Sequence, residues 1–241
     1  MASEREGLPF VARAAAFICR MVLSAIARVQ VSGLEHVPRS GPLIIVANHL
    51  SNADPPLVVG WLTPALGRRM HILAKEALFV GPLGAFLRSQ GVTPVRAGGS
   101  DIEAFRTARS VLDRGQVLCI FPEGTRSQTG LLGEPKPGVA MLATRSGVQV
   151  LPVGVSGTDR FLGRGQRLPR LGARIRVRVG PPFVLRLDPE LPRRAALRAA
   201  SNEIMGRIAA LVDERHRGDY RPVYDREARP VRPGVAPGAG P

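Results

Sequence analysis

His49 and Asp54 are the side chains of this sequence best suited to proton transfer, and they stand close together in Asn48-His49-Leu50-Ser51-Asn52-Ala53-Asp54. An imidazole titrates near neutrality, so it can take up and return a proton at physiological pH. A carboxylate that folds back onto the ring sets its tautomer and favours its charged form, which a histidine acting as general base requires. No serine or cysteine lies at nucleophile spacing beside the pair, so the substrate's own hydroxyl is expected to attack. A plainer alternative also fits the pair: His49 ends a strand and Asp54 caps a helix, with no chemistry. A metal site needs a clustered third ligand, and the segment supplies none.

The elements that must hold these residues are legible on either side. Leu43-Ile44-Ile45-Val46-Ala47 reads as a fully buried strand, and Pro55 to Leu62 as a helix with proline in its first turn and Asp54 as its N-cap. A second buried strand, Val117 to Phe121, delivers Pro122-Glu123-Gly124-Thr125-Arg126-Ser127 at its carboxyl end. Further strands are expected at Met70–Ala74, Gly91–Arg96 and Val150–Val155. Helices are expected over the apolar segment ending at Leu87, from Asp101 to about Leu112 behind a Ser100-x-x-Glu103 capping box, over Pro137–Ser146, and from about Leu191 to Arg215. Leu197, Ala200, Ile204, Ile208 and Leu211 form the apolar stripe of the last. Alternating strands and helices predict an α/β fold, a mainly parallel (mixed) sheet flanked by helices. In such sheets sites gather beyond the carboxyl ends of the strands, where both polar groups sit.

Asn48-His49-x-Ser51-x-x-Asp54 closely resembles the first block of the glycerolipid acyltransferase family, lysophosphatidate acyltransferase type. Phe121-Pro122-Glu123-Gly124-Thr125-Arg126-Ser127 resembles its third block and Val150-Leu151-Pro152-Val153-Gly154-Val155 its fourth, in the family's order, and the resemblance covers about residues 10 to 215. It implies transfer of a fatty acyl group from acyl-coenzyme A or acyl-carrier protein to the free hydroxyl of 1-acyl-sn-glycerol 3-phosphate, a step of phospholipid biosynthesis, with no cofactor beyond the two substrates. His49 would be the general base, and Asp54 would orient it. Glu123, Gly124, Thr125 and Arg126 would contact the acceptor's glycerol phosphate, with Asn48 and Ser51 beside them and Lys136 as a further phosphate contact. The residue types agree: a guanidinium can hold phosphate through two parallel hydrogen bonds, and glycine permits close backbone approach. Glu123 is expected to hold the arginine or to accept from a glycerol hydroxyl, and amides at Gly124 or around the Asn48 turn to serve an oxyanion.

The second block departs from the family. Where a strand of the form Gly-x-x-Pro-Val-x-Arg ends in a phosphate-binding arginine, counting from Gly91 places Ala97 there, and the arginine comes one residue early as Arg96. Side chains alternate along a strand, so Arg96 starts on the wrong face, though Gly98-Gly99 can re-aim it. The acceptor is therefore left open toward another lysophospholipid or a glycolipid, and a non-catalytic membrane lipid-binding protein of the same fold is the alternative to an enzyme.

Charge widens the picture. The chain has 34 basic and 19 acidic residues, a net +15, which calls for acidic partners such as nucleic acid or anionic lipid. Aromatic residues are only 5%, against a base-stacking surface, so an anionic membrane surface is preferred and no nucleic-acid partner is expected. Residues 1–31 are read as an N-terminal amphipathic helix lying in the membrane interface, with Arg13, Arg20 and Arg28 on one face at about 0°, −20° and 60°. The alternative is a helix packed on the domain; Arg20 interrupts the apolar stretch and disfavours a signal peptide. Residues 32–215 are read as the acyltransferase domain that the resemblance implies, and residues 216–241, rich in Pro, Gly and Arg, as a disordered tail. From Arg160 to Leu187 there is no acidic residue, and Arg174, Arg176 and Arg178 alternate with Ile175, Val177 and Val179 to give one basic strand face, facing solvent or anionic phosphates. Cys19 and Cys119, both in apolar segments, read as thiols of a reducing compartment; the expected place is the cytoplasm, peripheral on the inner face of the cell membrane.

Overall fold

The computed structural model describes residues 8–76, 79–81, 84, 87, 88, 91–95 and 101–224. The helix expected up to Leu87 falls mostly outside these residues, and so do Arg96, Ala97, the Ser100 end of the capping box and residues 225–241. One sheet runs in the order β1-β7-β6-β2-β5-β3-β4, with β8 pairing β6 off that path. Its strands are β1 (Ala27–Ser32), β2 (Leu43–Ala47), β3 (Met70–Lys75), β4 (Val92–Val95), β5 (Val117–Ile120), β6 (Gln149–Ser156), β7 (Ala173–Val179) and β8 (Phe183–Val184). The helices are α1 (Phe10–Ile26), α2 (Asp54–Leu66), α3 (Asp101–Asp113), α4 (Pro137–Ser146), α5 (Thr158–Phe161) and α6 (Arg193–Leu211).

From β6 to β4 the strands are mutually parallel. β7 then runs antiparallel to β6, and β1 follows β7. Every residue of β2 is buried because both faces of the sheet are covered: Leu43, Ile45 and Ala47 join the cluster containing Leu57, Val58 and Leu62 of α2. Ile44 and Val46 join the opposite one with Val111 of α3, Leu142 of α4 and Ile204 of α6. That two-sided burial is why β2 and β6 read as unbroken apolar runs. Cys119 is part of this interior and its thiol is pushed up to about 12 by burial; Cys19, half-buried, is raised for the same reason.

Two boundaries differ from the sequence reading. The first helix stops at Ile26, and Ala27–Ser32 is a strand paired with β7 in parallel register from Ala27↔Ala173 to Ser32↔Arg178. Val29 and Val31 alternate with Arg28, Gln30 and Ser32, a period-2 pattern of β-branched residues that suits a strand. Arg28 therefore does not share a helix face with Arg13 and Arg20. At the other end α6 spans Arg193–Leu211 and breaks at Val212, whose backbone is extended. The chain past His216 does not leave the domain at once: Tyr220 donates its hydroxyl to Gly133 O, and Val223 N donates to Gly206 O at 2.9 Å.

α1 packs on α2 through small residues. Ala12, Ala15 and Ala16 are buried, and a Cβ added at Gly60 of α2 would lie 3.2 Å from Arg20 N. The large apolar residues point the other way: Phe10 is 81% exposed and Phe17 64%, with Ile18, Met21 and Val22 also exposed. Among the described residues no helix is long and apolar enough to cross a membrane.

Candidate active site

β2 ends at Ala47, and the next residue ties it to its neighbour. Asn48 is fully buried; its Nδ2 donates to Val155 O at 2.9 Å and its Oδ1 accepts from Val155 N at 2.7 Å, so its side chain takes the place of a strand partner on β6. The chain then turns, and Asp54 closes the turn. Asp54 is not the N-cap expected of it: Ala53 holds that position, and Asp54 is the first residue of α2, ahead of Pro55 and Pro56. Its carboxylate points back instead of down its own helix, and Oδ2 accepts from Leu50 N at 2.6 Å, Ser51 N at 2.7 Å and His49 Nδ1 at 2.9 Å. Since an oxygen already accepting from two amides is not a hydroxyl, Nδ1 is the protonated ring nitrogen and Nε2 carries the free lone pair. Asp54 is fully buried, whereas the His49 side chain is 17% exposed, so the base opens outward and its partner does not.

The second polar group holds the base as much as it accompanies it. Glu123 Oε1 accepts from His49 N at 2.9 Å, Ser127 N donates to His49 O at 2.8 Å, and the Phe121 ring stacks on the imidazole at 4.4 Å between centroids. The loop from Phe121 to Ser127 thus grips His49 by both backbone groups and one ring face. Phe121 opens the block that resembles the family's third, but no role is read for it from the sequence. Glu123 Oε2 accepts from Gly133 N at 2.9 Å. Both oxygens of this buried carboxylate are therefore engaged by backbone, and it neither holds Arg126 nor faces outward for a glycerol hydroxyl, contrary to expectation. Burial raises its pKa, against the lowering by the His49 and Gly133 amides.

Gly124 completes the turn with φ at 68°, the left-handed region that glycine adopts without strain. A Cβ there would lie 2.7 Å from Lys136 Cε, so the lysine stem runs against the glycine and brings Nζ to the same loop. Arg126 is half-buried, and among the described residues its guanidinium makes no hydrogen bond or ion pair; Lys136 Nζ is likewise unpaired, and Thr125 is exposed. Four amides expected as oxyanion donors are already committed: Gly124 N donates to Phe121 O, His49 N to Glu123, and Leu50 N and Ser51 N to Asp54. Ser51, read as a substrate contact, is fully buried and donates through Oγ to Leu162 O at 2.6 Å. Arg96, the remaining candidate, lies outside the described residues. Among those residues no group of three His, Cys, Asp or Glu side chains could hold a metal ion.

The fold has a known counterpart. A solved structure, the 1-acyl-sn-glycerophosphate acyltransferase PlsC from Thermotoga maritima, superposes with a TM-score of 0.64 and 26% identity, covering 80% of this chain and 76% of that one. The 1-acyl-sn-glycerol-3-phosphate acyltransferase of Pseudomonas aeruginosa is 27% identical over 211 residues, 84% of this chain and 74% of that protein. The chloroplastic enzyme LPAT1 of Arabidopsis thaliana, named for the same activity, is 31% identical over 142 residues, and the alpha form from Bos taurus 32% over 158. The chain spans only 38% of the former's length and 54% of the latter's. The sequence profile described as Acyltransferase matches residues 28–156, from β1 through the whole of β6, and with the dyad and its supporting loop inside that match this chain belongs to the acyltransferase family.

Proposed function

We propose that this protein transfers a fatty acyl group from a thioester, acyl-coenzyme A or acyl-carrier protein, to the free hydroxyl of 1-acyl-sn-glycerol 3-phosphate, forming phosphatidic acid. The observation that carries the reading is the His49–Asp54 pair, with Nδ1 bound at 2.9 Å and Nε2 left to meet substrate, seated by the loop that carries Arg126 and against which Lys136 packs. Relatives named for this activity support it.

In the reaction the acceptor hydroxyl attacks the thioester carbonyl while His49 Nε2 takes its proton. The tetrahedral intermediate collapses with loss of the carbon–sulfur bond, and His49 returns the proton to the leaving thiolate. Asp54 stabilises the imidazolium in between and holds the ring by its other nitrogen. No acyl-enzyme and no cofactor are needed. Arg126 and Lys136, which have no side-chain partner among the described residues, bind the acceptor phosphate. The amides of Thr125 and Arg126, which donate to no other group among the described residues, are left to meet the oxyanion or the phosphate. Because Ala97 stands at the family's second arginine position, another lysophospholipid or a glycolipid is the second reading for the acceptor.

The acceptor is a bilayer lipid, and α1 turns Phe10, Phe17, Ile18, Met21 and Val22 outward beside the exposed Arg13 and Arg20. We therefore place the enzyme peripherally on an anionic membrane, on the inner face of the cell membrane, with α1 in the interface. Mass spectrometry of products from a panel of lysolipids with each donor tests the activity. Phosphatidic acid from lysophosphatidate is the expected product; ester formation only on a neutral or glycolipid acceptor would replace the acceptor assignment, and none on any acceptor would leave a lipid-binding protein.

A further inference from the structure

The loop of residues 162–172 lies at the carboxyl end of the parallel strands, beside the dyad. Ser51 Oγ donates to Leu162 O at 2.6 Å at its start, and at its end Gly172 N donates to Ile26 O at 2.8 Å, at the last residue of α1. Arg170 N donates to Phe161 O at 2.8 Å and folds the loop across its own base. The loop is thus pinned at three places, yet it holds Leu168 80% exposed and Leu171 76% exposed. Arg164, Arg167 and Arg170 are interleaved with them, all exposed, and among the described residues none has an ion pair or side-chain hydrogen bond. Of the basic residues nearby, Arg176 and Arg178 pair with Asp213 and Arg215 with Asp159. Two leucines held in water by a fixed backbone, among unpaired guanidiniums, match a surface that is apolar just beneath an anionic layer. The bond to Ile26 joins this loop to α1, whose own apolar residues face outward.

We propose that the loop of residues 162–172 is a second membrane-docking element, in which Leu168 and Leu171 enter the interface of an anionic bilayer and Arg164, Arg167 and Arg170 bind its headgroup phosphates. With α1 it makes a two-point contact that holds the mouth of the His49 site against the lipid surface. Only this orienting role rests on the lysolipid reading; the docking itself is measured without turnover.

The test uses the full chain carrying Leu168→Cys and Cys19→Ser, labelled with an environment-sensitive fluorophore; Cys119 is fully buried. On vesicles of phosphatidylglycerol and phosphatidylcholine the emission shifts to the blue. Emission unchanged from water while the protein cosediments with the vesicles would overturn the proposal. In parallel, the triple variant Arg164→Gln/Arg167→Gln/Arg170→Gln binds these vesicles more weakly, by about fivefold per arginine at low salt, and the difference shrinks as salt is raised. Parental affinity in this variant, with turnover lost only on a carrier-protein donor, would make the loop a protein-docking site and sink the membrane assignment.

Discussion

His49 has one nitrogen available. Nδ1 is bound to Asp54, the backbone on both sides of the residue is held by Glu123 and Ser127, and Phe121 covers a ring face. His49→Ala should therefore lower acyl transfer by on the order of 10²–10⁴ without unfolding the chain, and near-normal turnover by the folded variant would remove the base assignment. In Asp54→Asn the amide oxygen can still accept from the Leu50 and Ser51 amides, so the turn survives, but the imidazolium loses its counter-ion. The expected signature is a severe fall in kcat with a smaller change in KM, read by steady-state kinetics on a thioester donor. Arg126→Ala tests the acceptor instead. KM for lysophosphatidate should rise roughly 10- to 150-fold, the range of one lost charged contact, while a neutral monoacylglycerol is unaffected. Arg96→Ala run beside it should show the same selectivity more weakly; if it affects neither substrate, Arg96 is no phosphate ligand.

At the scale of elements, α1 divides its residues by size. Alanines face α2, where Gly60 permits close approach, and the bulky apolar side chains face out. Phe17→Ser/Met21→Ser should weaken binding to anionic vesicles and leave the thermal melt unchanged, because neither side chain is part of the core. Vesicle sedimentation beside a melt reads both, and a lowered Tm with unchanged binding would show that α1 is only a structural helix. Deleting residues 1–31 is the wrong experiment, since it would remove nearly all of β1 and leave β7 without its parallel partner.

Over the whole molecule, the C-terminal residues act back on the site. His216, fully buried, pairs through Nδ1 with Gly130 O and accepts from Leu132 N through its carbonyl at 2.7 Å, so it fixes the chain that follows Arg126. Arg215 donates to Asp159 at 2.9 and 3.1 Å, tying the same segment to α5. Burial alone would raise the Asp159 carboxyl, but the hydrogen bonds from Arg215 and the charges of His216 and Arg215 outweigh it and the pKa is lowered. A carboxylate lowered on folding contributes stability above its unfolded value near 3.9, lost as pH falls through the lowered value. Asp159→Asn should thus cost about 1–2 kcal/mol at pH 7 in urea unfolding, and the two proteins should converge near the acid end. Glu123 works in the opposite sense: its raised pKa gives stability that is complete below its unfolded value near 4.3 and is lost as pH rises through the raised value.

What is written locally was legible along the chain. The unbroken apolar runs of β2, β5 and β6 announced strands covered on both faces, the alternation of Arg174, Arg176 and Arg178 with buried Ile175, Val177 and Val179 matched β7, and the carboxyl ends of β2 and β5 marked the site. Neighbouring residue types also sufficed to pair His49 with Asp54, because a short turn joins them. Roles that depend on distant backbone were not legible. Asn48 binds Val155, Ser51 binds Leu162, and Glu123 binds His49 and Gly133, so three residues read as substrate contacts spend their polar groups on other segments. The end of α1 was decided the same way: Ala27–Ser32 is compatible with helix and strand alike by composition, and pairing with β7, nearly 150 residues away, settles it. Hydrogen-bond partners at such separation are chosen by the fold, since a buried polar group must take whichever donor or acceptor tertiary packing brings to it.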